Sequence, residues 1–243
     1  MGSSRLPGKV LHDICGKPLL GHLLDRLLLC NALNGIVVAT SVQPENDLIE
    51  SYCRNRGIPC YRGSEDDVLD RMVGALRSQH ADVGVQVFGD GPLIDPRIVD
   101  DCVDRFRQAD GSYDFVGNDL GTTYPPGMEV EVFSVAALLD SHERALDPAV
   151  REHSTLFIRQ NPGRYRLLNV EAPDHLRRPE LEIEVDMAED LEVVEAILRH
   201  FHPRNDMSLA EIIAFLDDRP EIASVNRDIP RRWKTHRDTL GSG

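Results

Sequence analysis

Residues 83–96 read VGVQVFGDGPLIDP, and the fold is decided by how this stretch is read. The apolar run Val83, Val85, Val87 and Phe88 breaks at Gly89, and the break contains Asp90, Gly91, Pro92 and Asp95. Apolar positions then recur at Ile98, Val99, Cys102, Val103 and Phe106, the spacing of one helix face. The pattern predicts a buried strand, a tight loop and a helix. In open α/β sheets, ligands bind in the crevice beyond the carboxyl ends of the strands, and Asp90 falls there. Glycines on both sides of it let a bulky ligand approach the backbone. A carboxylate so placed suits a hard cation such as Mg2+, which takes one or two protein carboxylates together with substrate phosphates. A loop Asp that caps the following helix is the alternative.

Upstream, Pro18 opens a helix with Leu19, Leu20, Leu23, Leu24, Leu27 and Leu28 as its apolar positions. Strands at 36–39 and 58–61 alternate with helices at 46–56 and 66–79. Asp67 and Arg71 have the spacing of a helix-surface pair. Downstream the rhythm changes. Strands are predicted at 113–116, 129–133, 165–170 and 181–185. Helices run from Ser134 to Ala145, through Arg151–Thr155 to near Pro162, from Asp186 onward, and from Ser208 to Asp217. Charged and apolar residues alternate over 129–133, which fits a half-exposed strand with Glu129 and Glu131 on one face. The whole predicts one α/β domain, 1–228, with a mostly parallel sheet and helices on both faces. A loose Arg-rich tail, 229–243, follows.

Composition excludes several classes. With 27 Lys and Arg against 41 Asp and Glu, the net charge is −14. That argues against non-specific binding to nucleic acid or anionic membranes. No apolar run approaches the roughly 20 residues needed to cross a bilayer. The polar, Gly-rich start does not read as a signal peptide. Five scattered cysteines without C-x-x-C spacing predict reduced thiols, hence a cytoplasmic protein. Nine histidines include no H-E-x-x-H, so zinc has no support.

The 27 basic residues include only Lys9, Lys17 and Lys234 as lysines. Two of these lie in the opening loop, MGSSRLPGKVLHDICGKP, beside its glycines. Such a loop can cradle phosphates with backbone amides and clamp them with cations, although it is not a P-loop. Asp186 stands after a second apolar run, far from Asp90 in sequence. If both strands share a sheet, the two carboxylates can meet on one metal opposite the loop, as phosphoryl or nucleotidyl transfer requires. A helix cap fits Asp186 equally well.

SSRLPGK (Ser3–Lys9), GKPLL (Gly16–Leu20), VATS (Val38–Ser41), GSEDDVLDRM (Gly63–Met72), GDGPLIDP (Gly89–Pro96) and EVDMAEDLEVV (Glu184–Val194) together resemble the cytidylyltransferases of acidic sugars. YPPGMEVEVFS (Tyr124–Ser134) and REHSTLFIRQNP (Arg151–Pro162) are similar to the branch typified by spore-coat polysaccharide biosynthesis protein F. The acylneuraminate and deoxy-manno-octulosonate cytidylyltransferases are related. The resemblance implies a Rossmann-like nucleotidyltransferase fold and a homodimer. It implies attack of an acidic or amino sugar hydroxyl on the α-phosphate of CTP, with Mg2+, to give a CMP-sugar and pyrophosphate for surface polysaccharide or glycoconjugate synthesis. By motif position it assigns the nucleotide to Gly2, Ser3, Ser4, Arg5, Lys9 and Gly89. Arg5 and Lys9 would stabilise the leaving pyrophosphate, and Asp90 and Asp186 would hold the metal. Lys17, Glu129, Glu131, Arg151 and His153 are candidates for sugar contacts. Glu129 and Glu131 also fit a solvent-facing edge strand, and His153 an ordinary helix histidine. The resemblance further implies a hydrophobic strand and an Ala-Arg pair ahead of the loop, whereas the chain starts inside the loop. If that strand is missing, the expectation is exposed strand edges and weak CTP binding; a start farther upstream and a sheet completed otherwise are the alternatives. A nucleotidyltransferase of other specificity and a non-catalytic nucleotide-binding relative are the competing readings.

Overall fold

The computed structural model describes residues 6–229. Gly2, Ser3, Ser4, Arg5 and nearly all of the 229–243 tail lie outside the described residues. A short antiparallel hairpin, β1 (Asp13–Ile14) and β2 (Lys17–Pro18), leads into α1 (Leu19–Leu27). Then come β3 (Val38–Ser41), α2 (Asp47–Asn55), β4 (Cys60–Gly63), α3 (Val68–Ser78), β5 (Val83–Gln86) and α4 (Pro96–Gln108). The second half holds β6 (Phe115–Gly117), β7 (Glu131–Ser134), α5 (Val135–Arg144), α6 (Pro148–Arg151), α7 (Leu156–Gln160), β8 (Leu167–Asn169), α8 (Ala188–Phe201), α9 (Leu209–Asp217) and α10 (Pro220–Ala223). Side-chain caps fix several helix starts. Asp67 accepts from the Asp70 N–H at 2.9 Å, Asp95 from Arg97 at 2.9 Å, and Ser134 from Ala137 at 3.1 Å. Ser208 and Glu211 form a capping box at α9.

β3 and β4 pair in parallel, while a second sheet has the order β5-β7-β6-β8. In that sheet β7 runs antiparallel to both neighbours, and β6 and β8 are parallel. Alternation along the strands divides the core. The paired Phe115 and Phe133 pack with α3, α5 and α7. The paired Val116 and Val132 pack with α1, α4, α8 and α9. Helices thus cover both faces, the Rossmann-like nucleotidyltransferase arrangement, with one antiparallel strand set into the sheet. No helix among the described residues is long and apolar enough to cross a membrane.

Four expectations need correction. The 129–133 segment is no half-exposed edge strand. Its strand begins at Glu131 in the interior of the sheet, and Glu131 is 1% exposed. Residues 181–185 form no strand. Ile183 and Val185 donate to Pro126 O and Asp90 O, which lie in turns that cannot sustain a ladder. The helix expected through Arg151–Thr155 is two short ones, α6 and α7, separated by a bend. Asp67 and Arg71 do not pair: Asp67 binds Arg151, and Arg71 donates to the carbonyls of Ser64 and Glu65.

β3 and β5 do not pair with each other. Both line a cavity of about 2150 Å³ that is walled by leucines of α1 and apolar side chains of α3. Asp90, Glu129, Glu184 and Asp186 are among its polar lining residues.

Candidate active site

Three irregular segments lie side by side at the carboxyl end of β5. A Cβ on Gly91 would sit 2.8 Å from Gly127 O, and one on Gly127 would sit 2.8 Å from Glu184 N. Gly127 also has φ +103°, a conformation that disfavours any side chain. These close approaches allow the bonds Val185 N–H to Asp90 O (2.8 Å) and Ile183 N–H to Pro126 O (3.1 Å). Backbone contact, not sheet pairing, therefore brings residues 90, 129, 184 and 186 together. A Cβ on Gly89 would meet nothing nearer than Val10 Cγ1, at 3.7 Å. No atom of the described residues demands glycine there, which leaves room for a ligand among them.

The capping alternatives fail for both acids. Asp95, with Pro96 at the first helical position, caps α4. Asp190 accepts from the Asp186 and Met187 N–H groups at 3.0 and 2.7 Å and so closes the start of α8. The side chains of Asp90 and Asp186 turn instead to Lys9. Its Nζ lies 3.3 Å from Asp90 Oδ2, 3.0 Å from Asp186 Oδ1 and 2.5 Å from Val185 O. Lys9 stands on a single helical turn, Lys9–Leu11, after Gly8 at φ 73°. Its side chain is 11% exposed.

A second polar group lines the same cavity, and of its members sequence reasoning singled out Glu131 but missed Asp119, Thr155 and Arg159. Arg159 Nη1 lies 2.8 Å from Asp119 and 3.0 Å from Glu131, and Thr155 donates to Glu131 at 2.9 Å. Burial pushes Glu131 up to about 8, aided by Asp119 and opposed by Arg159. Burial likewise raises Glu129 to about 7 and Glu184 to about 9. Glu184 Oε1 has no hydrogen-bond partner among the described residues. One signal was available for Glu184: in LEIEVD, residues 182, 184 and 186 alternate onto one side.

The remaining candidates divide. Gly89, Glu129, Glu131 and His153 line the cavity. Lys17 does not: it pairs with Asp25, which also binds Arg56. Arg151 does not either: it is held by Asp67 at 2.8 Å and by His142 O and Ala145 O, both at 2.9 Å. Among the described residues no three His, Cys, Asp or Glu side chains group as a metal centre would. The donor set is two carboxylates already converged on one cationic atom. That suits a hard cation completed by phosphate oxygens.

The cytidylyltransferase family model matches residues 1–213. The chain is 33% identical over 229 residues to the spore coat polysaccharide biosynthesis protein SpsF of Bacillus subtilis, covering 92% of this chain and 93% of that one. It is 34% identical over 116 residues, 46% of each chain, to the 8-amino-3,8-dideoxy-manno-octulosonate cytidylyltransferase of Shewanella amazonensis. A solved cytidylyltransferase from Leptospira borgpetersenii superposes with TM-score 0.87 at 27% identity, covering 95% of this chain and 94% of that one.

Proposed function

The chain belongs to the cytidylyltransferase family, and we propose that it transfers CMP from CTP to a hydroxyl of an acidic or amino sugar, with Mg2+. The observation that carries this reading is the meeting of Asp90 and Asp186, both lining the cavity, on the ammonium of Lys9. The sugar oxygen forms a bond to the α-phosphorus, and the bond from that phosphorus to the bridging oxygen breaks. CMP-sugar and pyrophosphate result, and the hydroxyl proton leaves to a base.

Asp90 and Asp186 would hold the metal, which supplies charge neutralisation on the phosphates when bound. Gly2, Ser3, Ser4 and Gly89 suit the nucleotide, and Arg5 and Lys9 the charge that builds on pyrophosphate. Glu129 faces the same cavity. With burial raising it to about 7, it suits the hydroxyl proton near neutral pH. Arg159 and His153 line the same cavity and suit the sugar, whereas Lys17 and Arg151 are held elsewhere.

The test is pyrophosphate release from CTP with Mg2+ across a panel of acidic and amino sugars, with ATP, GTP and UTP as controls. Asp90→Asn is expected to lower turnover by about 10²-fold or more while leaving the melting temperature close to wild type. Unchanged turnover in that variant overturns the metal role of Asp90.

A further inference from the structure

We propose that Lys9 is a tethered counter-cation that occupies the metal's place between Asp90 and Asp186 until a polyphosphate draws it away. Metal and nucleotide then load together, not metal first. This inference rests on the proposed function above and adds an order of events to it.

The argument begins with the valence of the ammonium. Lysine has three N–H donors and no acceptor. Among the described residues Lys9 Nζ has three oxygen partners: Asp90 Oδ2, Asp186 Oδ1 and Val185 O. Its donors are saturated, so it cannot contact a phosphate without releasing at least one of them. The same Nζ is the point on which both carboxylates converge. A divalent cation bound by that pair would lie within a few ångströms of the ammonium, and the two like charges would repel with little screening at 11% side-chain exposure. Either cation fits between the two acids; both together do not.

In the free protein the tethered ammonium has the advantage. It is already there, and Mg2+ sheds its waters reluctantly. A triphosphate changes the balance. It brings several negative charges that can take Lys9 as a point-charge partner and supply the oxygens that complete the metal's shell. Lys9 is built to move, since a flexible four-carbon stem projects from one short turn preceded by Gly8 in a left-handed conformation.

The experiment titrates the full chain with Mn2+, reading free Mn2+ by its electron paramagnetic resonance signal. Wild type, Lys9→Met, Lys9→Gln and the Lys9→Met/Asp90→Asn double variant are compared without nucleotide, each first checked for a cooperative thermal melt. Wild type is also titrated with a non-hydrolysable CTP analogue, against the analogue alone. The expected result is weak binding by free wild type and binding tighter by about tenfold or more in the Lys9 variants. That gain should vanish in the double variant, and wild type should bind strongly once the analogue is present. Lys9 variants that bind Mn2+ no better than wild type, with strong binding in the ternary mixture, overturn this inference alone. No binding by wild type with the analogue, and none by the Lys9 variants, overturns the metal role of the two carboxylates and this inference with it. The two Lys9 substitutions differ in polarity, so failure of one to fold leaves the other to decide.

Discussion

Arg26 is fully buried, yet it remains charged: burial lowers its guanidinium only to about 10. It holds three carbonyls, Ile94 O at 2.6 Å and Asn205 O and Met207 O, each at 2.8 Å. One side chain on α1 thereby fixes the loop before α4 and the approach to α9. Arg26→Met should destabilise the protein by about 3–5 kcal/mol, because two buried acceptors and a partly buried one lose their donors at once. Arg26→Lys should recover little of this, since an ammonium does not reproduce the planar fork. Urea unfolding followed by circular dichroism measures both; a loss below about 1 kcal/mol for the Met variant counts against the role. The spacing of LLGHLLDRLLL already places residue 26 on the stripe of Leu19, Leu23 and Leu27, so its burial was legible. What it binds was not, because the acceptors lie 68 to 181 residues away. The same distinction divides the site. Asp90 and Asp186 each follow an apolar run and can be picked out locally. Asp119 and Arg159 carry no local pattern and become partners only when β6, β7 and α7 pack.

At the scale of elements, β7 shows how a correct period can give a wrong environment. Alternation does place residues 129 and 131 on one face, but that face opens into an internal cavity, not into solvent. Sequence alone cannot show that β7 lies between β5 and β6, because that antiparallel insertion is a long-range outcome. The consequence is measurable. Glu129 and Glu184 have folded values of about 7 and about 9, above the ordinary 4.5, because burial disfavours their charged forms. Between about pH 4.5 and 9 the native state therefore holds more protons than the unfolded chain, and stability must fall as pH rises through that window. Their contribution is complete below about pH 4.5. In acid the opposite class takes over, as with Asp114, held below its usual value by Arg166. The melting temperature should peak near pH 5 and fall by about 5 °C or more toward pH 9 at fixed ionic strength. Glu184→Gln should flatten the upper part of that slope; a flat profile in wild type would show that burial does not hold these acids neutral.

For the whole molecule, the decisive feature is the slot between β3 and β5. The alternation of strands and helices was legible, and so were the two helical layers, since each depends on local period. Strand order was not, and the division into two sheets follows from it. Val83 and Phe88 are 38% and 37% exposed, and β3 has only its final residue, Ser41, buried. The facing walls are leucines of α1, nearly all buried, and apolar residues of α3. Backbone edges that no described strand pairs, beside an apolar cavity, are a liability for a sheet, and a strand of about five residues inserted there is expected to pair with them. Each buried Val or Ile contributes about 1.5–3 kcal/mol, against about 1–2 kcal/mol for ordering its backbone, so the net gain is a few kcal/mol. In a domain of this size that raises the melting temperature by about 5–10 °C. The test fuses a five-residue Val/Ile strand through a short linker ahead of the opening loop, beside a Ser/Lys control of equal length. The apolar fusion should melt higher than the control and bind CTP more tightly, because the loop carrying Lys9 meets the carboxyl end of β5, where Val10 faces Gly89. Equal melting and equal CTP affinity for the two fusions would mean that the slot does not accept a strand and that the two sheets are stable apart.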